Sequence, residues 1–379
     1  MANTLTNLQP DLYAALDRVS RELVGMIPAV SRDSGVERAA KDQTVRSFVA
    51  PAATAADITP GQQAPNTGDQ TFTNKTITIS KSRSCPIRWN GEEQLGMNTG
   101  PGYNLMFQDQ AVQAMRVLVN EVETDLAGLY AKASRAIVPN GTILFDAADY
   151  KDLAECRKEL NINGADMLER KLVLGNNAAF GLLGNAQNTA VDNAGEIDIL
   201  KQGILARRFG MDVYESNQIE DAHTAGSGAS YLVNDASLAI GDTVIAADTG
   251  SGTILAGDIV SFAGDSNKYV VTSALSGGSF TIAEPGLKVA VADNAAITVE
   301  DHAERNMAFS KDAIHLVTRA PAAPIGGDAA DDVMIMQDPR SGLAFEVRAY
   351  KEYRQVHYEV GLAWGYEMIK PEHCVLLVD

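Results

Sequence analysis

The stretch YNLMFQDQAVQAMRVLVNEVETDLAGLYAKASRA, residues 103–136, decides how the rest of this chain is read. Phe107, Ala111, Met115, Leu118, Val122, Leu126, Leu129 and Ala133 recur at steps of three or four, while Asp109, Gln113, Arg116, Glu123 and Lys132 lie off that stripe. Apolar residues at this spacing share one face of an α-helix, so the segment predicts an amphipathic helix with one covered side. As one helix its 34 residues would span about 51 Å at roughly 1.5 Å per residue, long enough to act as a strut. Two helices broken near Gly128 are the other reading.

On its N-terminal side, residues 8–26 carry Leu12, Ala15, Val19 and Leu23 at helical spacing, with Asp11 near the start. Residues 44–49 then read as a strand. The run 50–69 is punctuated by Pro51, Pro60, Gly61, Pro65 and Gly68, and a second strand over 71–80 alternates through Thr76, Ile77, Thr78, Ile79 and Ser80. Ile87 with Trp89 marks a third. A two-stranded ribbon of this kind has little core of its own, so its apolar residues are expected to meet another domain or another chain.

On the C-terminal side, residues 142–225 read as an α/β layer, with helices at 150–160 and 178–183 and short strands at 171–174 and 211–214. Residues 203–210, bounded by Gly203 and Gly210, read as a loop or edge. Composition changes at 229–300, where no His, Trp or Arg occurs and eight glycines separate short β-prone runs at 243–246, 258–262, 269–272, 280–282 and 297–299. This block reads as a small all-β domain inserted into the α/β region. Residues 307–319 resume a mixed core pattern. After them Leu343, Phe345, Val347 and Ala349, and then Val356, Tyr358, Val360, Leu362, Trp364 and Tyr366, keep a period of two and predict a long antiparallel hairpin turning at 351–354.

The chain has 379 residues, with 45% hydrophobic and 21% charged. That is a globular composition of a size that allows two or three domains. A formal net charge of −18 argues against wrapping nucleic acid, which needs Lys and Arg to replace counterions, though not against a surface that merely faces DNA. Cys85, Cys156 and Cys374 are odd in number and widely spaced, so buried free thiols are expected rather than disulfides or a metal knuckle. The first residues lack a basic segment followed by an apolar one, and no apolar run approaches membrane-spanning length, so the chain reads as made and assembled in a cytoplasm.

Motifs for nucleotide, metal and acyl chemistry are missing from the sequence. Gly264-Asp265-Ser266 offers a serine but no histidine in the surrounding domain, and reads as a turn. Asp301, His302 and Glu304 form an acidic junction without defined ligand geometry. His357 and Glu359 share one strand face and suit a hydrogen bond or an intersubunit ion pair, whereas the adjacent His373 and Cys374 point oppositely on a strand. No catalytic, cofactor-binding or metal-binding residue is assigned.

The order of these pieces resembles the major capsid (coat) proteins of tailed bacteriophages, with the HK97-like fold, and among them the branch related to the P22 coat protein. The resemblance covers nearly the whole chain. It is carried by the N-terminal helix, the extended loop, the spine-like helix, RKLVLG at 170–175, GMDVYESN at 210–217, NMAFSKDA at 306–313 and WGYEMIKPE at 364–372. It implies an α+β fold with an N-terminal arm and helix over 1–39, an extended β-hairpin loop over 40–95, and a peripheral domain over 96–141 and 335–379. An α/β axial domain over 142–228 and 301–334 would carry the inserted β-rich domain over 229–300. The implied function is self-assembly, without enzymatic activity or cofactor, into the icosahedral shell around a double-stranded DNA genome. The implied partners are the chain itself, as pentamers and hexamers, with scaffolding and portal proteins, and DNA enclosed without sequence-specific contact. No membrane is involved, and assembly would take place in the host bacterial cytoplasm. Two other classes compete: a hydrolytic enzyme with an appended β domain, which would need Asp242, Asp258 and Asp265 around one concave site, and a cell-surface array or adhesion protein, which would need export.

Overall fold

A computed structural model describes residues 25–49, 55, 57–58, 60, 73–97, 103–139, 144–145, 150–185, 207–220, 223–302, 304–337 and 342–378. The helix expected over 8–26, apart from its last two residues, and most of the run 50–69 lie outside them. In chain order the first part contains α1 (Met26–Ala29), β1 (Ser31–Ala39), β2 (Thr44–Val49), β3 (Thr73–Thr78), β4 (Lys81–Asn90), α2 (Gly91–Met97), α3 (Tyr103–Ala127) and β5 (Arg135–Ile137). The middle contains α4 (Lys151–Ile162), β6 (Arg170–Leu174), α5 (Asn176–Gly184) and β7 (Met211–Glu215). Then come β8 (Tyr231–Val233), β9 (Val244–Asp248), β10 (Ile259–Phe262), β11 (Lys268–Ser276), β12 (Ser279–Ile282) and β13 (Ala296–Glu300). The chain closes with β14 (Asn306–Ser310), β15 (Ile314–Pro321), β16 (Asp332–Gln337), β17 (Ala344–Glu352), β18 (Gln355–Met368) and β19 (Cys374–Leu377).

The expected continuous helix over 103–136 is corrected at its end. α3 stops at Ala127, a tighter 3₁₀ segment runs over Gly128–Lys132, and Arg135–Ile137 is already a strand. Those last residues are taken by two neighbours, since Arg135 and Ala136 pair with Tyr269 and Lys268 on one side and with Val375 and Leu376 on the other. The stripe Phe107, Ala111, Met115, Leu118, Val122, Leu126, Leu129, Ala133 is buried throughout, as its spacing required. Val112, Val119 and Glu123 are buried too. The helix is therefore covered on more than one face: β4 and β18 pack along it, and α1 closes over it near Glu123.

β18 is the axis of the first sheet. Residues 355–361 pair with β17 and also with β4, which places those strands on opposite edges. β15 continues on β17's edge through Ile314↔Met368 to Arg319↔Ala363, β1 joins β15 in parallel, and β16 extends β17. The long hairpin foreseen in the sequence is the β17–β18 pair. The third foreseen strand, β4, is not part of the ribbon; it runs beside β18 from Gln355↔Asn90 to Trp364↔Lys81. Only β2 and β3 form the ribbon, from Thr44↔Thr78 to Val49↔Thr73. The ribbon's base, Ile77 and Ile79, packs on Val317, Ala363 and Ile369. Gly365 is required there: a Cβ on it would lie 2.2 Å from the Thr78 carbonyl oxygen.

The second sheet has a mixed part, β5-β19-β14-β6-β7, backed by α4 and α5 through Leu153, Cys156, Leu160, Ala179 and Leu182. It continues through β11 into the block after residue 229. There β10, β13, β8, β9, β12 and β11 pair antiparallel in turn, and β10 pairs with β11 to close a six-stranded barrel around Val260, Tyr269, Phe280 and Ile297. The sequence located five of these strands and missed β8. The block is also more firmly joined than an appended domain, because Tyr269 pairs with Val260 on one edge and Arg135 on the other.

Candidate functional site

Each polar group singled out in the sequence has a local task. Asp265 of the Gly264-Asp265-Ser266 turn accepts from Asn267 N at 2.9 Å and from the Tyr269 hydroxyl at 2.5 Å. Asp242 accepts from Ala239 N at 2.7 Å. Asp258, fully buried, accepts from Leu255 N at 2.6 Å and Gly226 N at 3.2 Å. Asp265 closes an Asx turn onto the backbone two residues on, whereas Asp242 and Asp258 each accept from the backbone N–H three residues earlier, and none of these bonds joins one of the three carboxylates to another.

At the junction after β13, His302 Nε2 stands 3.4 Å from Glu300, and Glu304 turns away to accept from Asn177 at 2.6 Å. Burial pushes the Glu300 carboxyl up, but bonds from His302, Lys268 and Ser261 outweigh it and bring the pKa down to about 2. Asp301, His302 and Glu304 are not drawn into a ligand set, and among the described residues no group of three or more His, Cys, Asp or Glu could hold a metal ion. His357 lies 3.9 Å from Glu352 rather than on Glu359. His373 stands at a strand entrance with its pKa lowered by desolvation, while Cys374 is buried and its thiol pushed up by the same cause.

The polar residues that do converge were not foreseen. Glu123, placed on the solvent side by the helical stripe, is 2% exposed. Its carboxylate accepts from Met26 N at 2.9 Å, Ile27 N at 2.9 Å and the Ser216 hydroxyl at 3.0 Å, so one helix side chain fixes α1 and the end of β7 together. Burial pushes its pKa up, and these donors pull against that. A carboxyl group this deep needs several donors to take the place of its water.

Beyond the end of α3, Tyr130 Oη is 2.9 Å from His223 Nδ1, and His223 Nε2 is 2.7 Å from Asp258. Arg135, 2% exposed, donates to Ser134 O and Gly286 O and lies 4.5 Å over the Tyr269 ring. Burial and the Asp265 bond push the Tyr269 hydroxyl up to about 12. Lys288 pairs with Glu159 of α4, tying the barrel to the layer below.

A separate ionic chain covers the β17 face. Arg38 of β1 meets Glu346 at 2.5 Å, Glu346 meets Arg348 Nε at 3.1 Å, and Arg348 reaches Asp328. Burial works against the Arg348 charge, yet Tyr350, Glu346 and Asp328 hold its pKa above the usual arginine value. Glu346 and Arg348 sat on the polar alternation of the sequence, but β1 and the segment before β16 bury them.

Large apolar side chains remain outside these cores. Leu95 on α2, Leu168 before β6, Phe180 on α5, Ile325 before β16 and Tyr353 at the hairpin tip are all at least three-quarters exposed. Beside that tip lies an open cleft of about 730 Å³, lined in part by Trp89, Glu92, Lys351 and Arg354.

No protein-family model and no curated protein matches the sequence. Among solved structures the chain is similar to one from Mycobacterium phage Che8, at 13% identity over 89% of this chain and 85% of that one, with a TM-score of 0.48. It is also similar to the capsid structure of the cyanophage P-SCSP1u, at 13% identity over 92% and 86%, TM-score 0.48. A virus-like particle from Pyrococcus furiosus matches at 10% identity over 98% and 100%, TM-score 0.45.

Proposed function

We propose that this chain is a shell-building subunit, the major capsid protein of a tailed bacteriophage, with the HK97-like fold and a relation to the P22 coat branch. The observation that carries the reading is the β2–β3 ribbon. Beyond its base at Ile77 and Ile79 its described side chains are exposed or half-buried, and its strands pair only with each other among the described residues. Such a ribbon is marginal alone and gains stability by lying on a neighbour. The long buried helix supplies a stiff support, and the exposed Leu95, Phe180 and Tyr353 supply further contact area.

In this reading the peripheral domain comprises 96–141 and 335–379, the axial domain 142–228 and 301–334, and the barrel the insertion at 229–300, with the arm at 1–39 and extended loop at 40–95. Subunits gather as pentamers and hexamers and close, with scaffolding and portal proteins, around double-stranded DNA that they do not read. Assembly takes place in the host cytoplasm and the product is the virion shell. A net charge of −18 opposes association at long range, so packing and local pairing must win at contact, and raised salt should favour it. Coexpression with the cognate scaffold, followed by light scattering and electron microscopy, should yield closed shells or capsomers. Monomers persisting across salt and scaffold conditions would overturn the reading.

A further inference from the structure

The barrel is attached to the rest of the chain at more than one place. On one edge of β11, Lys268 and Tyr269 pair with Ala136 and Arg135 of β5. On the opposite edge, β10 follows directly on Asp258, whose carboxylate receives His223, which in turn meets Tyr130. Tyr130 and β5 both lie in the short segment that follows the long helix. A body held along one edge can pivot about it; a body held on both sides of the same strand cannot.

We propose that Tyr130, His223 and Asp258 form a polar coupling that fixes the barrel to the end of the long helix, so that the two turn together. Both side chains of the His223–Asp258 pair are nearly inaccessible, at 8% and 0% exposure, so water competes little for the bond between them. The order of donors is set by chemistry. The Asp258 carboxylate only accepts, which assigns a ring proton to Nε2 and leaves Nδ1 of the singly protonated ring to accept from the Tyr130 hydroxyl. Each link then has one proton and no lone pair faces another. The Tyr130 and His223 rings also meet edge to face at 5.6 Å and 75°. Gly257 presses the barrel against the tyrosine: its φ is +92°, and a Cβ there would stand 2.7 Å from Tyr130 Cε2. Arg305 sits 5.9 Å from the Tyr130 ring and Asp258 acts on its hydroxyl in the opposite direction, so the surrounding charges are opposed rather than of one sign.

The coupling belongs to the fold of the subunit and does not depend on the shell reading. Its test uses the full chain with Cys85→Ser and spin labels at Gln113→Cys and Ile240→Cys, two exposed positions on the helix and the barrel. Electron–electron distance measurement should give one narrow distribution in the parent and a broader or displaced one in Tyr130→Phe and His223→Phe. Hydrogen exchange should rise about fivefold per lost bond at residues 255–258, while strands β9 and β12 on the far side stay protected. Adding Tyr130→Phe to His223→Phe should change nothing further, because the histidine change already breaks both links. An unchanged distance distribution in His223→Phe, a rise in exchange spread evenly over the barrel, or additive effects of the two changes would each overturn the proposal.

Discussion

The barrel and the ribbon are both antiparallel β structure, both were located from the same alternation and turn signals, and they end in opposite conditions. In the barrel each strand has a partner on either side and Tyr269, Phe280 and Ile297 meet in a common interior. In the ribbon two strands share one row of hydrogen bonds and, among the described side chains, only those at the base are covered. Local strand propensity is similar in the two; the difference is closure. The β10–β11 pairing lets six short strands keep their apolar residues within one chain, whereas a two-stranded ribbon leaves its far part to whatever lies beside it.

The sharpest way to break this comparison is to disturb the helix that packs against the first sheet, on which the ribbon is seated, and leads into the segment that pairs with the barrel. Leu118 is buried in the middle of the helix stripe, and Leu118→Asp should cost about 3–5 kcal/mol, from lost packing and an unpaired buried carboxylate. Gln113→Glu, on the exposed side, should stay within about 0.5 kcal/mol. Urea midpoints of the two variants measure the gap, and equal midpoints would show that the stripe is not a core face. Loss of shells from a normally stable Leu118→Asp subunit would make it an assembly surface instead.

A smaller effect is expected on excising the barrel as residues 223–302. It should keep an all-β circular dichroism spectrum and dispersed amide signals, because closure is internal to it. It should nevertheless be about 2–4 kcal/mol less stable than in the full chain, having lost the β5 ladder and the Arg135 contacts with Gly286 and Tyr269. A random-coil spectrum would end the contrast between self-sufficient barrel and dependent ribbon. The least effect on folding should come from deleting ten residues within 50–69: the urea midpoint of the subunit should shift by less than the equivalent of about 0.5 kcal/mol, while sedimentation shows shells lost. Normal shells from that deletion would remove the arm from the assembly mechanism.

What could be read from the sequence was whatever depends on neighbours along the chain. The stripe from Phe107 to Ala133, the β17–β18 hairpin and the turns of the barrel follow from periodicity and from Gly, Asp and Asn placement. The strand Arg135–Ile137 was hidden in the tail of the helix because three residues carry almost no pattern, and its partners Lys268 and Val375 are more than a hundred positions away. Glu123 was misplaced for a related reason. The stripe argument assumes one covered face, and only the approach of Met26 and Ser216 shows that a second face is covered. His223 lies in no motif, and its value comes from Tyr130 and Asp258, which the chain brings to it from both directions. A signal was present in Asp258, a carboxylate opening an apolar β run, but many such residues simply close turns, as this one also does.

Gly365 has a bearing on aim. With the Thr78 carbonyl seated against it, the ribbon leaves the sheet at an angle for which any larger residue leaves no room. Six paired residues extend about 20 Å at roughly 3.3 Å per residue, so a tilt of about 10° at the base would swing the far end sideways by about 3–4 Å, nearly the spacing between neighbouring strands. In a closed shell of the kind proposed, such an angular error, repeated in every subunit, would not average out. A single hydrogen atom in place of a methyl group at position 365 would, in such a shell, set a pointing tolerance for the whole particle.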